Sequence, residues 1–149
     1  MPATNRQPDD RSKTTEQRAG EVARVVRVAL VGHCGPDSWM LKGVVGRVFP
    51  GGAVAMVNDV QATLVHALEG DLVLVNRKLD GDFESESGLT LIGALMALPK
   101  RKAAVMLVSN IAEAQAEAAA LGAAAGFGKA SAGTPEAARR MRAAVGMVG

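Results

Sequence analysis

From Val25 onward, short apolar runs alternate with stretches whose apolar residues recur every three or four positions. Val25 to Val31, rich in Val and Leu, predicts a buried strand. Ser38 to Phe49 predicts a helix with Trp39, Val44 or Val45 and Val48 at helical spacing, opened by cap residues in Pro36-Asp37-Ser38 and ended by Pro50-Gly51-Gly52. Ala53 to Val57 is a second strand, and Asn58 or Asp59 caps a helix whose Val60, Leu64, Ala67 and Leu68 share a face before Gly70 stops it. Asp71 to Val75 is the most apolar strand. A polar turn, Asp80 to Gly88, leads to a helix over Leu89 to Leu98 with Leu91, Ile92, Leu95 and Leu98 inward. A strand over Ala103 to Val108, an Ala-rich helix over Ile111 to Leu121 and a weak strand over Ala124 to Phe127 follow. The last helix opens at Thr134-Pro135-Glu136, with proline in its first turn, and carries Arg139, Arg140 and Arg142.

Five successive strand–helix units predict an α/β fold, a doubly wound parallel sheet with helices on both faces. In such sheets the functional crevice lies at the carboxyl ends of the strands. That places Gly32-His33-Cys34, Asn76, Ser109 and Lys129, distant in sequence, at one edge of the molecule.

Composition narrows the picture. Residues 1–20 contain no Val, Ile, Leu or Phe, so residues 1–22 are expected to be a disordered tail and residues 23–149 one domain. The tail lacks the apolar core of a secretory signal, and no stretch is long enough to span a membrane. A net charge of +2 argues against a nucleic-acid partner. The one cysteine, Cys34, excludes an intrachain disulfide and fits a reducing, cytoplasmic setting. The core must be built from Val, Leu, Ala and Met, because aromatic residues are few.

Several blocks together carry a family resemblance. Asp71-Leu72-Val73-Leu74-Val75-Asn76 is followed by Leu79 and then by Gly88-Leu89-Thr90-Leu91-Ile92. Val105-Met106-Leu107-Val108-Ser109 ends in a hydroxyl residue, and Gly122-Ala123 precedes Lys129 by seven residues counted from the glycine. In order and spacing these resemble the receiver domain of two-component response regulators, over about Arg27 to Val145. The resemblance implies a five-stranded sheet of order 2-1-3-4-5. It also implies phosphoryl transfer from a phosphohistidine to an aspartate ending the third strand, with magnesium held by an acidic pair after the first strand. A Thr or Ser hydroxyl and a lysine stabilise the phosphoryl group.

This chain departs from that pattern. Asn76 stands where the aspartate is expected, and Gly32-His33 or His33-Cys34 where the acidic pair is expected, with Gly35 as an apparent insertion. The turn after Asn76 is about four residues longer than the family's, and Ala130 replaces a proline; Ser109 and Lys129 are kept. An amide is a poor nucleophile and a poor ligand for magnesium, which prefers carboxylates. Phosphoryl transfer depends on that charge clamp. The expectation is therefore no phosphorylation at Asn76 and no magnesium or other cofactor. Lys129 would then face the Asn76 side-chain oxygen or another acid, hold an anion, or reach water.

Other features carry weaker chemistry. His33, Cys34 and Asp37 could suggest a metal or redox site, but no second cysteine or ligand-spaced histidine accompanies them, and His66 lies on a separate helix. A buried, packed Cys34 and a hydrogen-bonded His33 are the expectation. Asp80, Asp82, Glu84 and Glu86 alternate in the polar turn without the ligand order of a calcium loop. One of them could fold back over Lys129. Gly32-His33-Cys34-Gly35 matches no phosphate-binding fingerprint. The arginines of the last helix suit its C-terminal half, and in the resembled family the fourth and fifth segments form the usual partner face. The functional expectation is a non-enzymatic, stand-alone, receiver-like signalling domain acting on a protein partner such as a sensor kinase or an output protein. The alternatives are an anion- or nucleotide-binding module using the same crevice, and a phosphoacceptor displaced to an acid such as Asp80.

Overall fold

A computed structural model describes residues 24–147; the expected tail, residues 1–22, lies outside them. The strands are β1 (Arg27–Val31), β2 (Ala53–Val57), β3 (Leu72–Asn76), β4 (Ala104–Val108) and β5 (Ala124–Phe127). The helices are α1 (Gly35–Val48), α2 (Val60–Glu69), α3 (Gly88–Met96), α4 (Ala112–Ala120) and α5 (Pro135–Ala144). The strands form one parallel sheet in the order β2-β1-β3-β4-β5, as expected. Val31 lies opposite both Val57 and Val75, and Asn76 opposite Val108, so the strand ends line up along one edge.

The three central strands read as unbroken apolar runs because both of their faces are covered. Val28, Leu30, Leu72, Leu74 and Met106 pack with Leu41 and Val45 of α1 and Met141 of α5. Ala29, Val31, Val73, Val75 and Leu107 pack on the other side with Ala67 of α2, Ile92 and Leu95 of α3 and Ala118 of α4. A fully buried Val, Leu, Ile or Met side chain contributes about 1.5–3 kcal/mol, so this double layer supplies the apolar stabilisation of the sheet that carries the strand ends.

Caps and boundaries follow local chemistry. Asp59, Ser87 and Thr134 accept from Ala62 N, Thr90 N and Ala137 N, capping α2, α3 and α5. The predicted start of α1 is corrected. The helix begins at Gly35, with Pro36 in its first turn, and Cys34 is the N-cap residue without a side-chain cap. Asp37 and Ser38 are released from capping; Ser38 Oγ donates to His33 O instead. Two assignments to inward faces are also corrected. Trp39 is 81% exposed, the buried stripe of α1 being Ser38, Leu41, Val44 and Val45, and Leu68 lies on the outer side of α2. Among the described residues no helix is long and apolar enough to cross a membrane.

Candidate functional site: the strand-end groove

The site is assembled from the ends of four strands. β1 runs out into Gly32, whose φ of +74° is the left-handed region that glycine tolerates. A Cβ there would lie 2.5 Å from the Leu79 side chain, so Gly32 also lets the loop after β3 close over β1. That loop is tied down by Asp80 N donating to Gly32 O at 2.9 Å and Leu79 N donating to Glu86 O at 2.7 Å. Gly88, opening α3, is equally constrained, because a Cβ would collide with Asn76 O.

Asn76 ends β3 with its amide turned toward backbone acceptors. Nδ2 donates to Gly32 O at 3.0 Å and to Lys78 O at 2.7 Å. One amide nitrogen thus joins the end of β1 to the loop that follows β3. The expected hydrogen bond from Lys129 to the Asn76 side-chain oxygen is not what the structure contains. Lys129 Nζ lies 2.5 Å from Asp37 Oδ2, with the side chains 33% and 28% exposed. The reason is charge: a carboxylate within reach binds an ammonium better than an amide oxygen does. The lysine hydrogen bond, together with one from the Cys34 thiol, holds the Asp37 carboxyl below its ordinary range, against a partial burial that raises it. With each side chain about a third exposed, this pair is worth at most about 1 kcal/mol.

Ser109, nearly buried, ends β4. Its N–H donates to Phe127 O, and its Oγ accepts from Ile111 N at 3.1 Å. Asn110 Oδ1 accepts from Ala130 N and so sets the turn that carries Lys129. Gln115 was not anticipated from the sequence. Its Nε2 donates to Leu107 O, Ser109 O and Phe127 O, binding β4 to β5 just beneath the site. Only its position in the first turns of α4 reveals this.

His33 is buried at 2% exposure, and its Nε2 lies 2.9 Å from Leu74 O. A carbonyl only accepts, so Nε2 carries the proton and Nδ1 is a bare lone pair; that Nδ1 has no partner. Burial, then the Lys129 charge, lowers the His33 pKa against the opposing Leu74 contact, so the ring is neutral. Cys34 is half-buried rather than buried, because it stands at the helix start beside Asp37. His66 sits at the opposite end of the sheet, its Nε2 3.2 Å from Arg27 O. Among the described residues no group of three or more His, Cys, Asp or Glu side chains gathers as metal ligands. The acidic turn goes elsewhere than Lys129: Asp82 N donates to Asn58 O, and Asp82 bridges to Asp59 beside α2.

A groove of about 230 Å³ lies over these strand ends, lined by Asn76, Arg77, Lys78, Ser109, Asn110 and Lys129 among others, with no carboxylate in its wall. Magnesium fits this donor set poorly. The Asp37 carboxylate is already engaged by Lys129, and the donor side of the Asn76 amide is committed to two carbonyls.

No protein-family model and no curated protein matches the chain. Solved structures do. The signal receiver domain of a DNA-binding response regulator from Colwellia psychrerythraea is 16% identical, with a TM-score of 0.55 over 70% of this chain and 86% of that one. A Salmonella typhimurium response regulator is 15% identical, with a TM-score of 0.60 over 84% of this chain and 62% of that one. A Burkholderia pseudomallei response regulator, solved with a phosphorylated aspartic acid and a calcium ion, is 18% identical, with a TM-score of 0.51 over 82% and 66%. With its five parallel strands in the order 2-1-3-4-5, the chain has the fold of response-regulator receiver domains.

Proposed function

We propose that the protein is a receiver-like signalling module that acts through contacts with other proteins and takes no phosphoryl group at the end of β3. One observation carries this reading: the Asn76 amide donates to both Gly32 O and Lys78 O. A carboxylate cannot donate, so an ionised aspartate at this position would face two carbonyl oxygens and lose both bonds. The local backbone is therefore built around an amide, and the substitution goes deeper than one missing nucleophile. The pairing of Lys129 with Asp37 supports the same reading, because the cation that would meet a phosphoryl group is already neutralised across β5 and α1.

The test is intact-mass spectrometry after incubation with acetyl phosphate and magnesium. The expected result is no phosphoryl adduct on the wild-type protein and none on Asn76→Asp. An adduct mapped to Asn76→Asp alone would mean that the site needs only its nucleophile back. An adduct on the wild-type peptide carrying Asp80 would mean that the acceptor has moved.

A second reading rests on the groove itself. Arg77, Lys78 and Lys129 line it with Ser109 and Asn110, and no acid does. An anion held there without covalent chemistry would stabilise the fold in proportion to RT ln(1 + [L]/Kd). A melting temperature that rises with phosphate but not with chloride at equal ionic strength supports this reading, and equal shifts remove it.

A further inference from the structure

We infer that the cleft between the loop after β3 and helix α3 is a binding site for a small organic amine, an ammonium carried on an aromatic or branched alkyl group. The loop is longer than the resembled family's, so the cleft belongs to this chain rather than to the fold. It is held in shape by its own hydrogen bonds. Leu79 N donates to Glu86 O at 2.7 Å, and Asp82 N to Asn58 O at 2.8 Å. Gly81 permits the second contact: its φ is +135°, and a Cβ there would come within 2.5 Å of Asn58 O. Ser85 Oγ accepts from Ser87 N, and Ser87 Oγ from Thr90 N, which joins the loop to the first turn of α3. A pocket whose walls are already fixed loses little freedom when it takes a ligand.

Two kinds of side chain meet in this cleft of about 150 Å³. Its inner wall is Val60, Leu79, Phe83 and Leu91. Leu79 belongs to the buried core, and Phe83 and Leu91 pack against it. An apolar cavity of this size holds a benzene ring, and the half-buried Phe83 offers an aromatic partner to one. The outer edge is Glu84 and Ser85, both exposed, with Ser87 beside them. No lysine, arginine or histidine lines the cleft among the described residues. Arg77 and Lys78, just before the loop, line the strand-end groove instead. Among the described residues the ion pairs lie elsewhere, so Glu84 has no cation of its own. The two serine oxygens each accept one backbone N–H, which leaves each a second lone pair. A carboxylate and free lone pairs beside an apolar pocket answer one ligand chemistry, a cationic donor on an apolar body. The same carboxylate repels an anionic ligand.

The site is separate from the strand-end groove and stands whether or not a phosphoryl group is taken at Asn76. The probe is phenethylamine, with phenethyl alcohol and hydrocinnamate as its neutral and anionic matches. Binding is read from backbone amide signals in proton–nitrogen correlation spectra of the full chain. The amine should move signals within residues 79–94 saturably, with a Kd of about 1 mM or tighter. The alcohol should bind about tenfold more weakly, and hydrocinnamate should move nothing there. Glu84→Gln should bring the amine down to the affinity of the alcohol and leave the alcohol unchanged. Ala94→Leu, at an exposed position that lines the cleft, should fill it and abolish binding of both while the helix is kept. Equal affinity for the three probes overturns the inference, as does the absence of saturable shifts in residues 79–94. So does an Ala94→Leu variant that melts like the wild type and binds unchanged. A peptide beginning with phenylalanine that binds far more tightly than the amine also overturns it, and gives the cleft to the amino end of a polypeptide. None of these outcomes alters the phosphoryl-transfer result, which is read as a mass adduct at the strand ends.

Discussion

The two ends of β3 are held by opposite chemistry. Just before its first residue, the Asp71 carboxylate accepts from Arg27 N at 2.8 Å, with Lys102 and Arg24 at 3.4 and 3.6 Å. At its last residue, the Asn76 amide donates to Gly32 O. Both side chains staple β3 to its neighbour β1. They differ because a parallel strand begins with unpaired N–H groups and ends with unpaired C=O groups. An acceptor belongs at one end and a donor at the other. A carboxylate at the far end, where the resembled family places its nucleophile, needs cations or a metal in place of carbonyls. Here the loop after β3 supplies carbonyls.

The largest expected effect comes from reversing this arrangement. Asn76→Asp should destabilise the protein by about 1–3 kcal/mol at pH 7, the cost of facing an ionised carboxylate with two acceptors. The loss relative to wild type should shrink as the pH falls and the new carboxyl protonates, since burial near acceptors raises its pKa. Urea denaturation of both proteins across pH checks this, and an undiminished loss in acid would mean that size rather than charge is responsible. At the other end, Asp71→Ala should cost about 1–2 kcal/mol and Asp71→Asn less, because an amide oxygen still accepts from Arg27 N. Equal costs for the two variants would show that the cations, rather than the strand-start N–H, are what Asp71 serves.

Histidines sit near both ends, His33 at the carboxyl end of β1 and His66 against Arg27 O at its start. Burial lowers both pKa values from 6.5. The unfolded chain therefore binds more protons than the folded one just below that value, so stability is full above about pH 6.5 and falls as the pH drops. His33→Gln, which keeps a donor for Leu74 O, should flatten part of that slope in pH-dependent denaturation; an unchanged slope would assign it to His66. The smallest effect is expected at the Lys129–Asp37 pair. Asp37 is depressed by its lysine, so its contribution is present at neutral pH and lost as the pH falls through the lowered carboxyl pKa. Asp37→Asn should cost no more than about 1 kcal/mol and become neutral in strong salt. A larger cost would show that the pair anchors the turn after β5.

How much of this was legible beforehand depends on the range of the interaction. The alternation of apolar runs with helical periodicity placed all five strands, because periodicity is a local consequence of which side chains must be buried. The cap at Thr134 and the proline after it were readable for the same reason. Trp39 was misplaced because an aromatic at helical spacing looks inward until the position of the sheet is known. Ser109 and Lys129 were located at strand ends, and both line one groove. The partners of Lys129 and Asn76 were not foreseen. Asp37, in the first turn of α1 after β1, and Lys129, just after β5, are brought together only because the parallel sheet sets its strand ends along one edge, and nothing near either residue in sequence signals it.

The sequence alone determined the order and type of the elements, the apolar character of the three inner strands, and the absence of a carboxylate at position 76. Those are properties of composition and local period. Only the tertiary structure decided what that absence means. A hydrogen bond depends on which groups the fold leaves unpaired at a given point. At the end of β3 the fold leaves carbonyls, and the amide of Asn76 answers them.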